Sequence, residues 1–164
     1  MKRETYEKMA EKVRESSSLM SAVIWSDRIL TKLSYAVYPL LIILLIIGRN
    51  PDILRAVIVP AASFVLVSVF RYAYCAPRPY EVLGIPPVIK KDTRGKSFPS
   101  RHVFSAFMIA MTVFYFMPAY GVILLVLGIV MAFARVVGGV HFVKDVAAGA
   151  LIGIGCGIIG FYII

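Results

Sequence analysis

The sequence predicts an all-α protein of the polytopic membrane class, a helix bundle of about five transmembrane helices preceded by an amphipathic N-terminal helix. Three observations carry that reading. Of 164 residues, 60% are hydrophobic and only 16% are charged, and the mean hydropathy is +0.83, more apolar surface than a soluble domain of this length can bury. The apolar residues fall in blocks, and crossing the hydrocarbon core takes about 20 helical residues at 1.5 Å each. Clusters of turn-forming or charged residues separate the blocks.

Residues 1–32 read as an interfacial segment and residues 33–164 as the membrane domain. Met1 to Ser18 carries charges of both signs, with Tyr6, Met9, Ala10 and Val13 at helical spacing on one side, which suits a helix lying on the membrane surface. Leu33 to Ile47 is the first span and ends at Gly48-Arg49-Asn50-Pro51; Ile53 to Phe70 is the second and stops at Arg71. Val103 to Ala134 runs for 32 residues without a charge, which as one helix would be about 48 Å long against a core of about 30 Å. It therefore reads as two spans, turning at Met117-Pro118-Ala119, because Pro118 cannot continue the helix hydrogen bonding. Val146 to Ile164 is the last span, and its Gly149, Gly153 and Gly157 form a stripe suited to close helix packing. Pro77 to Phe98 is the longest link.

Lys and Arg number 18 against 9 Asp and Glu, a net charge of +9. With most of the chain in lipid, this charge matches anionic head groups or a phosphorylated substrate rather than nucleic acid. Cys75 and Cys156 sit in or beside apolar runs and read as buried small hydrophobes with no redox role.

The polar residues at the span ends cluster on one side of the membrane. Arg71 and Arg78 follow the second span, Ser100, Arg101 and His102 open the third, and Arg135, His141 and Asp145 lie between the fourth and the fifth. Topology thus brings both histidines to one face. His141 and Asp145 are one helical turn apart, so the carboxylate can fix the imidazole tautomer and stabilise its cation; a purely structural pair at a helix terminus has the same spacing. Phosphoryl transfer needs cations for three equatorial oxygens, an in-line nucleophile and an acid for the leaving group. Arg71, Arg78 and Arg135 can supply the cations, and Ser100 with the free N–H groups of the third span can add donors. A metal site is a poor fit, since His141 and Asp145 give only two ligands on one helix and the arginines would repel a cation.

The order Arg71-x6-Arg78-Pro79, then Pro99-Ser100-Arg101-His102, then Arg135-x5-His141-x3-Asp145 resembles the three-part signature of the type 2 phosphatidic acid phosphatase superfamily. The resemblance runs from about Leu33 to the C-terminus and makes 33–164 a transmembrane phosphatase domain. It implies hydrolysis of a lipid phosphomonoester or pyrophosphate, of the phosphatidic acid, phosphatidylglycerophosphate or undecaprenyl pyrophosphate type, without metal or other cofactor, through a phosphohistidine. By position, His141 is the implied nucleophile, Asp145 its orienting carboxylate and His102 the acid for the leaving oxygen. Arg71, Arg78, Ser100, Arg135 and the backbone N–H of Arg101 are the implied phosphate ligands. The implied partners are the lipid phosphate substrate and membrane lipids.

This sequence departs from the family pattern at three places. Arg71 stands where the family usually has Lys, Arg101 where it has Gly, and Ala134 where it usually has Ser. The family's common architecture also has six spans. The loop from Pro77 to Phe98 carries Lys90, Lys91, Arg94 and Lys96 and suits a cover over anionic head groups. Orientation draws two opposed expectations. Seven Lys and Arg up to Lys32, seven from Arg71 to Arg101, and Arg135 with Lys144 share one side, against Arg49 and Arg55 on the other, and the positive-inside rule places that side in the cytoplasm. The resemblance to bacterial enzymes places the active face outside the cell membrane. The competing function is a non-catalytic module that binds anionic lipid through its basic loop.

Overall fold

The computed structural model describes residues 3–164, and among them it is all-helical with no strand. Seven helices follow one another: α1 Arg3–Glu15, α2 Ser17–Ile47, α3 Ile53–Tyr74, the short α4 Pro79–Leu83, α5 Arg101–Phe116, α6 Pro118–Val137 and α7 Val143–Ile158, which ends in a π-helical turn at Ile159–Ile163. Four membrane-length apolar helices are present: Ser17–Ile47, the stretch Ile53–Leu83 that contains α3 and α4, Pro118–Val137 and Val143–Ile163. The fifth apolar helix, α5, has 16 residues, about 24 Å at 1.5 Å each. Its shortness is offset by position, because α6, α7, α2 and α3 all pack on it. Val103, Phe104, Ala106, Phe107, Met108, Ala110, Met111, Thr112 and Val113 are all buried on α5. Ile47, Leu66, Phe133 and Leu151 on the surrounding helices are exposed, as side chains facing lipid should be.

Cys75, read as buried, is exposed at the end of α3, and two features of the helices differ from the sequence reading. No helix break falls at residues 32–33: α2 is continuous from Ser17, where the Ser16 hydroxyl accepts the N–H of Leu19 at 3.3 Å. Its 31 residues extend about 46 Å, longer than a hydrocarbon core of about 30 Å, so its first turns reach beyond the apolar spans. The second difference concerns α1. It is amphipathic as expected, but Tyr6, Ala10 and Val13 are buried against the protein. The Tyr6 hydroxyl donates to the Gly139 carbonyl at 3.3 Å, and Arg14 donates to the Pro86 carbonyl at 2.5 Å. Periodicity gives the apolar face of a helix without saying what covers it, and here the cover is the loop end of the bundle rather than lipid alone.

The glycine stripe sets the distance between α5 and α7. A Cβ at Gly149 would lie 2.7 Å from the Ser100 carbonyl oxygen, and one at Gly153 would lie 2.8 Å from that of Phe104. This close approach brings the start of α7 under the start of α5, where the Ser100 N–H donates to the Asp145 carbonyl at 2.8 Å. At the opposite end, Tyr115 donates to Asp52 at 3.1 Å and Arg55 reaches the Ile164 carbonyl at 3.3 Å. The hairpin at Gly48–Asp52, the end of α5 and the end of the chain therefore share one side, and the three motif segments share the other.

Gly153→Leu should destabilise the bundle by about 1–3 kcal/mol through overpacking against α5 backbone. A Cβ at Gly155 meets nothing within 4 Å, so Gly155→Ala should be neutral or slightly stabilising. Thermal unfolding of both variants in detergent checks the contrast.

Candidate active site

The end of the bundle nearest the motifs holds a cavity of about 260 Å³ lined by Ser68, Arg71, Tyr72, Arg78, Lys91, Thr93, Lys96, Arg101, His102, Arg135 and His141. Six of these carry a cationic side chain, and no carboxylate lines the wall. The sequence elements that meet here are the end of α3, the loop after it, the start of α5 and the α6–α7 link.

Arg71, in the last turn of α3, is buried and lays its guanidinium along the incoming loop. It donates to the carbonyls of Lys96, Ser97 and Pro99. Arg78, just ahead of α4, donates from Nε to the Gly95 carbonyl at 3.0 Å and from Nη1 to the Val140 carbonyl at 3.1 Å. Glu81 closes this part of the loop on itself by accepting the N–H groups of Arg78 at 2.8 Å and Gly95 at 2.9 Å. Arg135, in the last turn of α6, is also buried; its Nε lies 2.6 Å from Oδ1 of Asp27 on α2, and its Nη2 lies 3.5 Å from the Thr31 hydroxyl. All three arginines thus reach the cavity with their orientation fixed by the protein.

His141 sits in the α6–α7 link and Asp145 in the first turn of α7, both almost fully buried. Nδ1 of His141 and Oδ2 of Asp145 are 3.6 Å apart, too long for a direct hydrogen bond. The hydroxyl of Ser97 bridges them, 2.5 Å from Oδ2 and 3.3 Å from Nδ1. A carboxylate only accepts, so Ser97 spends its proton on Asp145 and its oxygen is left to accept Nδ1–H. That arrangement keeps the proton on Nδ1 and the lone pair on Nε2. Asp145 Oδ2 also accepts the Phe142 N–H at 3.0 Å, which fixes the carboxylate at the start of α7. Burial pushes the His141 imidazole down to about 4; Asp145 acts in the opposite direction, and Arg78 and Arg135 add to the depression. Lys91 is pushed down as well, first by burial and then by Arg78, Arg135 and Arg101, with Asp27 opposing.

His102, in the first turn of α5, is half-buried and lines the cavity together with His141. Arg101 is exposed at the rim, its guanidinium carbon 5.7 Å from the ring centre of Phe64. Ser100 caps α5 and is fully buried; its hydroxyl has no hydrogen-bond partner among the described residues, and it is not part of the cavity lining. Of the residues singled out in the sequence, the cavity therefore gathers Arg71, Arg78, Arg101, His102, Arg135 and His141, with Asp145 behind His141 and Ser100 behind the lining. Sequence reasoning missed Ser97 and Asp27, whereas Lys91 and Lys96 of the basic loop do line the cavity. Ser97 carried one signal, a hydroxyl three residues ahead of Ser100 in the same polar approach to a span, whereas Asp27 carried none.

Arg101 and His102 also line a second space of about 150 Å³, which shares Ser34, Tyr35, Phe64, Ser105 and Ile109 with a third of about 270 Å³ between α2, α3 and α5. The third is lined mainly by apolar side chains such as Pro39, Pro60, Ala61, Phe104 and Met108. A cationic cavity and an apolar groove thus lie near one another at the start of α5, with a smaller space between them that shares lining residues with each.

The chain is similar to known proteins in sequence and in fold. The chain is 29% identical to LpxE of Aquifex aeolicus, whose crystal structure superposes with a TM-score of 0.67 over 87% of this chain and 92% of that one. A PAP2-type phosphatidylglycerolphosphate phosphatase from Bacillus subtilis, 20% identical, shares the fold with a TM-score of 0.58 over 95% of this chain and 90% of its own. Over 58 residues the chain is 43% identical to the bacitracin transport permease protein BcrC of Bacillus licheniformis; the match covers 35% of this chain and spans 29% of that relative's length. The family model of the PAP2 superfamily matches residues 52–164, from the turn before α3 to the chain end. The chain belongs to the PAP2 superfamily.

Proposed function

We propose that this protein is an integral membrane phosphatase that hydrolyses a phosphomonoester or pyrophosphate of a lipid through a phosphohistidine, with its active face outside a bacterial cell membrane. The observation that carries the reading is the nearness of spaces at the start of α5. Both histidines line a cavity walled by cations, and a smaller space that shares Arg101 and His102 with it lies between it and an apolar groove among the membrane helices. An anionic head and an apolar tail fit the cavity and the groove in turn. Substrates of the phosphatidic acid, phosphatidylglycerophosphate and undecaprenyl pyrophosphate types have this form.

In this mechanism Nε2 of His141 attacks phosphorus while the bond from phosphorus to the lipid oxygen breaks. His102, protonated once the anionic phosphate occupies the cavity, gives its proton to that leaving oxygen. The positive charge that develops on the His141 ring is stabilised by Asp145, with Ser97 relaying the interaction to Nδ1–H. Arg71, Arg78 and Arg135 face the equatorial oxygens, where charge is spread in the transition state. His102, now neutral, then takes a proton from water; the water oxygen attacks phosphorus, the P–N bond breaks, and inorganic phosphate leaves. The chemistry assigns no step to a metal or another cofactor.

Purified protein in detergent is expected to release inorganic phosphate from at least one of those three lipid phosphates with a chelator present. His141→Ala should lower the rate by at least about 10³-fold. Unchanged turnover by that variant contradicts the reading; no release by the parent, with vesicle binding kept when both histidines and Asp145 are replaced, favours the anionic-lipid-binding module instead.

Two further outcomes follow from the geometry. The imidazolium form of His141 has no lone pair on Nε2, so kcat/KM should fall as pH drops through about 4 and show no His141-dependent loss above it, which a pH–rate profile of the free enzyme reads. Ser97→Ala removes the bridge without touching a reacting atom and should lower kcat by roughly 10- to 100-fold. Orientation has its own test: Ile164 lies on the side opposite the motifs, so a fluorescent protein fused after it should light up in the cytoplasm. A fusion active only on the outer side would reverse the assignment.

A further inference from the structure

The phosphate-facing cations are not all held by the residues of the family match. Arg71 and Arg78 are fixed by carbonyls of their own loop and of the α6–α7 link. Arg135 is different, because it is fixed by α2. Asp27 lies outside residues 52–164, is buried, and places Oδ1 2.6 Å from Nε of Arg135. Thr31, one turn further along the same helix face, meets Nη2 at 3.5 Å. Nη1 has no protein partner among the described residues, so the edge of the fork left over is available to the cavity that Arg135 lines.

We propose that Asp27 is a positioning residue for Arg135, by which the first membrane helix completes the phosphate-binding face of the cavity. Three points favour it over a merely structural ion pair. Neither Oδ1 of Asp27 nor Nε of Arg135 has an aligned hydrogen bond, so the hold depends on charge at short range rather than on a directional bond. Asp27 also sits near Lys91, a second cation of the same wall. The six cations of the lining face no carboxylate across the cavity, so without a counter-charge behind it Arg135 would be driven away from Arg78 and Arg101. Asp27 offsets that repulsion from outside the space the substrate occupies. It touches neither substrate nor reacting atoms and acts through Arg135 alone.

Orthovanadate, a phosphate mimic that binds without turnover, separates this role from general stability and from the phosphatase reading on which the kinetic arm rests. Full-length protein in detergent is titrated with vanadate and followed by thermal shift, alongside kcat and KM for lipid phosphate release. Asp27→Asn keeps the shape and removes the charge; it should weaken vanadate by roughly 10- to 100-fold and raise KM. Asp27→Glu should retain more affinity than Asp27→Asn. In an Arg135→Ala background, Asp27→Asn should cause no further loss of vanadate affinity. Asp27→Ser gives the same reading where the asparagine variant does not fold. Parental vanadate affinity in a folded neutral variant, or losses that multiply in the double variant, would overturn the proposal. A parent that binds vanadate but releases no phosphate would sink the phosphatase reading and leave the vanadate comparison to decide the role of Asp27.

Discussion

The constraint on which the rest of the structure depends is the burial of three guanidinium groups at one end of an apolar bundle. Arg71, Arg78 and Arg135 are 7%, 4% and 4% exposed, and a buried cation is tolerated only when it is paired or richly hydrogen-bonded. Each is accommodated differently, and each solution shapes a different part of the chain. Arg71 organises the end of the loop that delivers Ser97, Pro99 and the start of α5. Arg78 ties that loop to the α6–α7 link through Val140, next to His141. Arg135 is paired with a carboxylate, which α2 supplies as Asp27. What shapes the cavity is thus the same set of contacts that holds its cations in place.

The two layers below that wall set the surroundings of His141. Close packing of α7 on α5 through the glycine stripe sets Asp145 beneath Ser100, and the loop held by Arg71 sets Ser97 over Asp145. The hydroxyl then joins a carboxylate and an imidazole that stand slightly too far apart to bond directly. Burial favours the neutral ring, and the carboxylate behind it acts in the opposite direction. Packing between helices, distant in the sequence, therefore shapes the surroundings of the imidazole.

Much of this was legible in the sequence and some of it could not have been. Hydrophobic blocks mark membrane helices because a span must satisfy its own backbone, so α2 ends at Ile47, α3 starts at Ile53 and Pro118 opens α6 as expected, although α2 begins at Ser17 rather than Leu33. The three polar clusters were legible because charge is costly at the end of a span and must have a reason. Asp27 was hidden by its setting, since Ser26-Asp27-Arg28 looks like a solvated surface until α6 is known to lie against it. Ser97 was hidden by distance along the chain, being 44 residues from His141 and 48 from Asp145. The burial of α1 was hidden because its partner, Gly139, is 133 residues from Tyr6. Periodicity and local spacing report a residue's own helix; these contacts depend on which helices become neighbours.

The central claim is a covalent phosphoryl transfer to one ring nitrogen, and the covalent species is the most direct thing to measure. Parent protein mixed with excess lipid phosphate and quenched at alkaline pH during turnover should carry a phosphoryl group, because the P–N bond forms before water attacks. Peptide mass spectrometry is expected to find that group on His141. A phosphoryl group on any other residue, or turnover by the parent with no phosphorylated protein under any quench, would contradict the account.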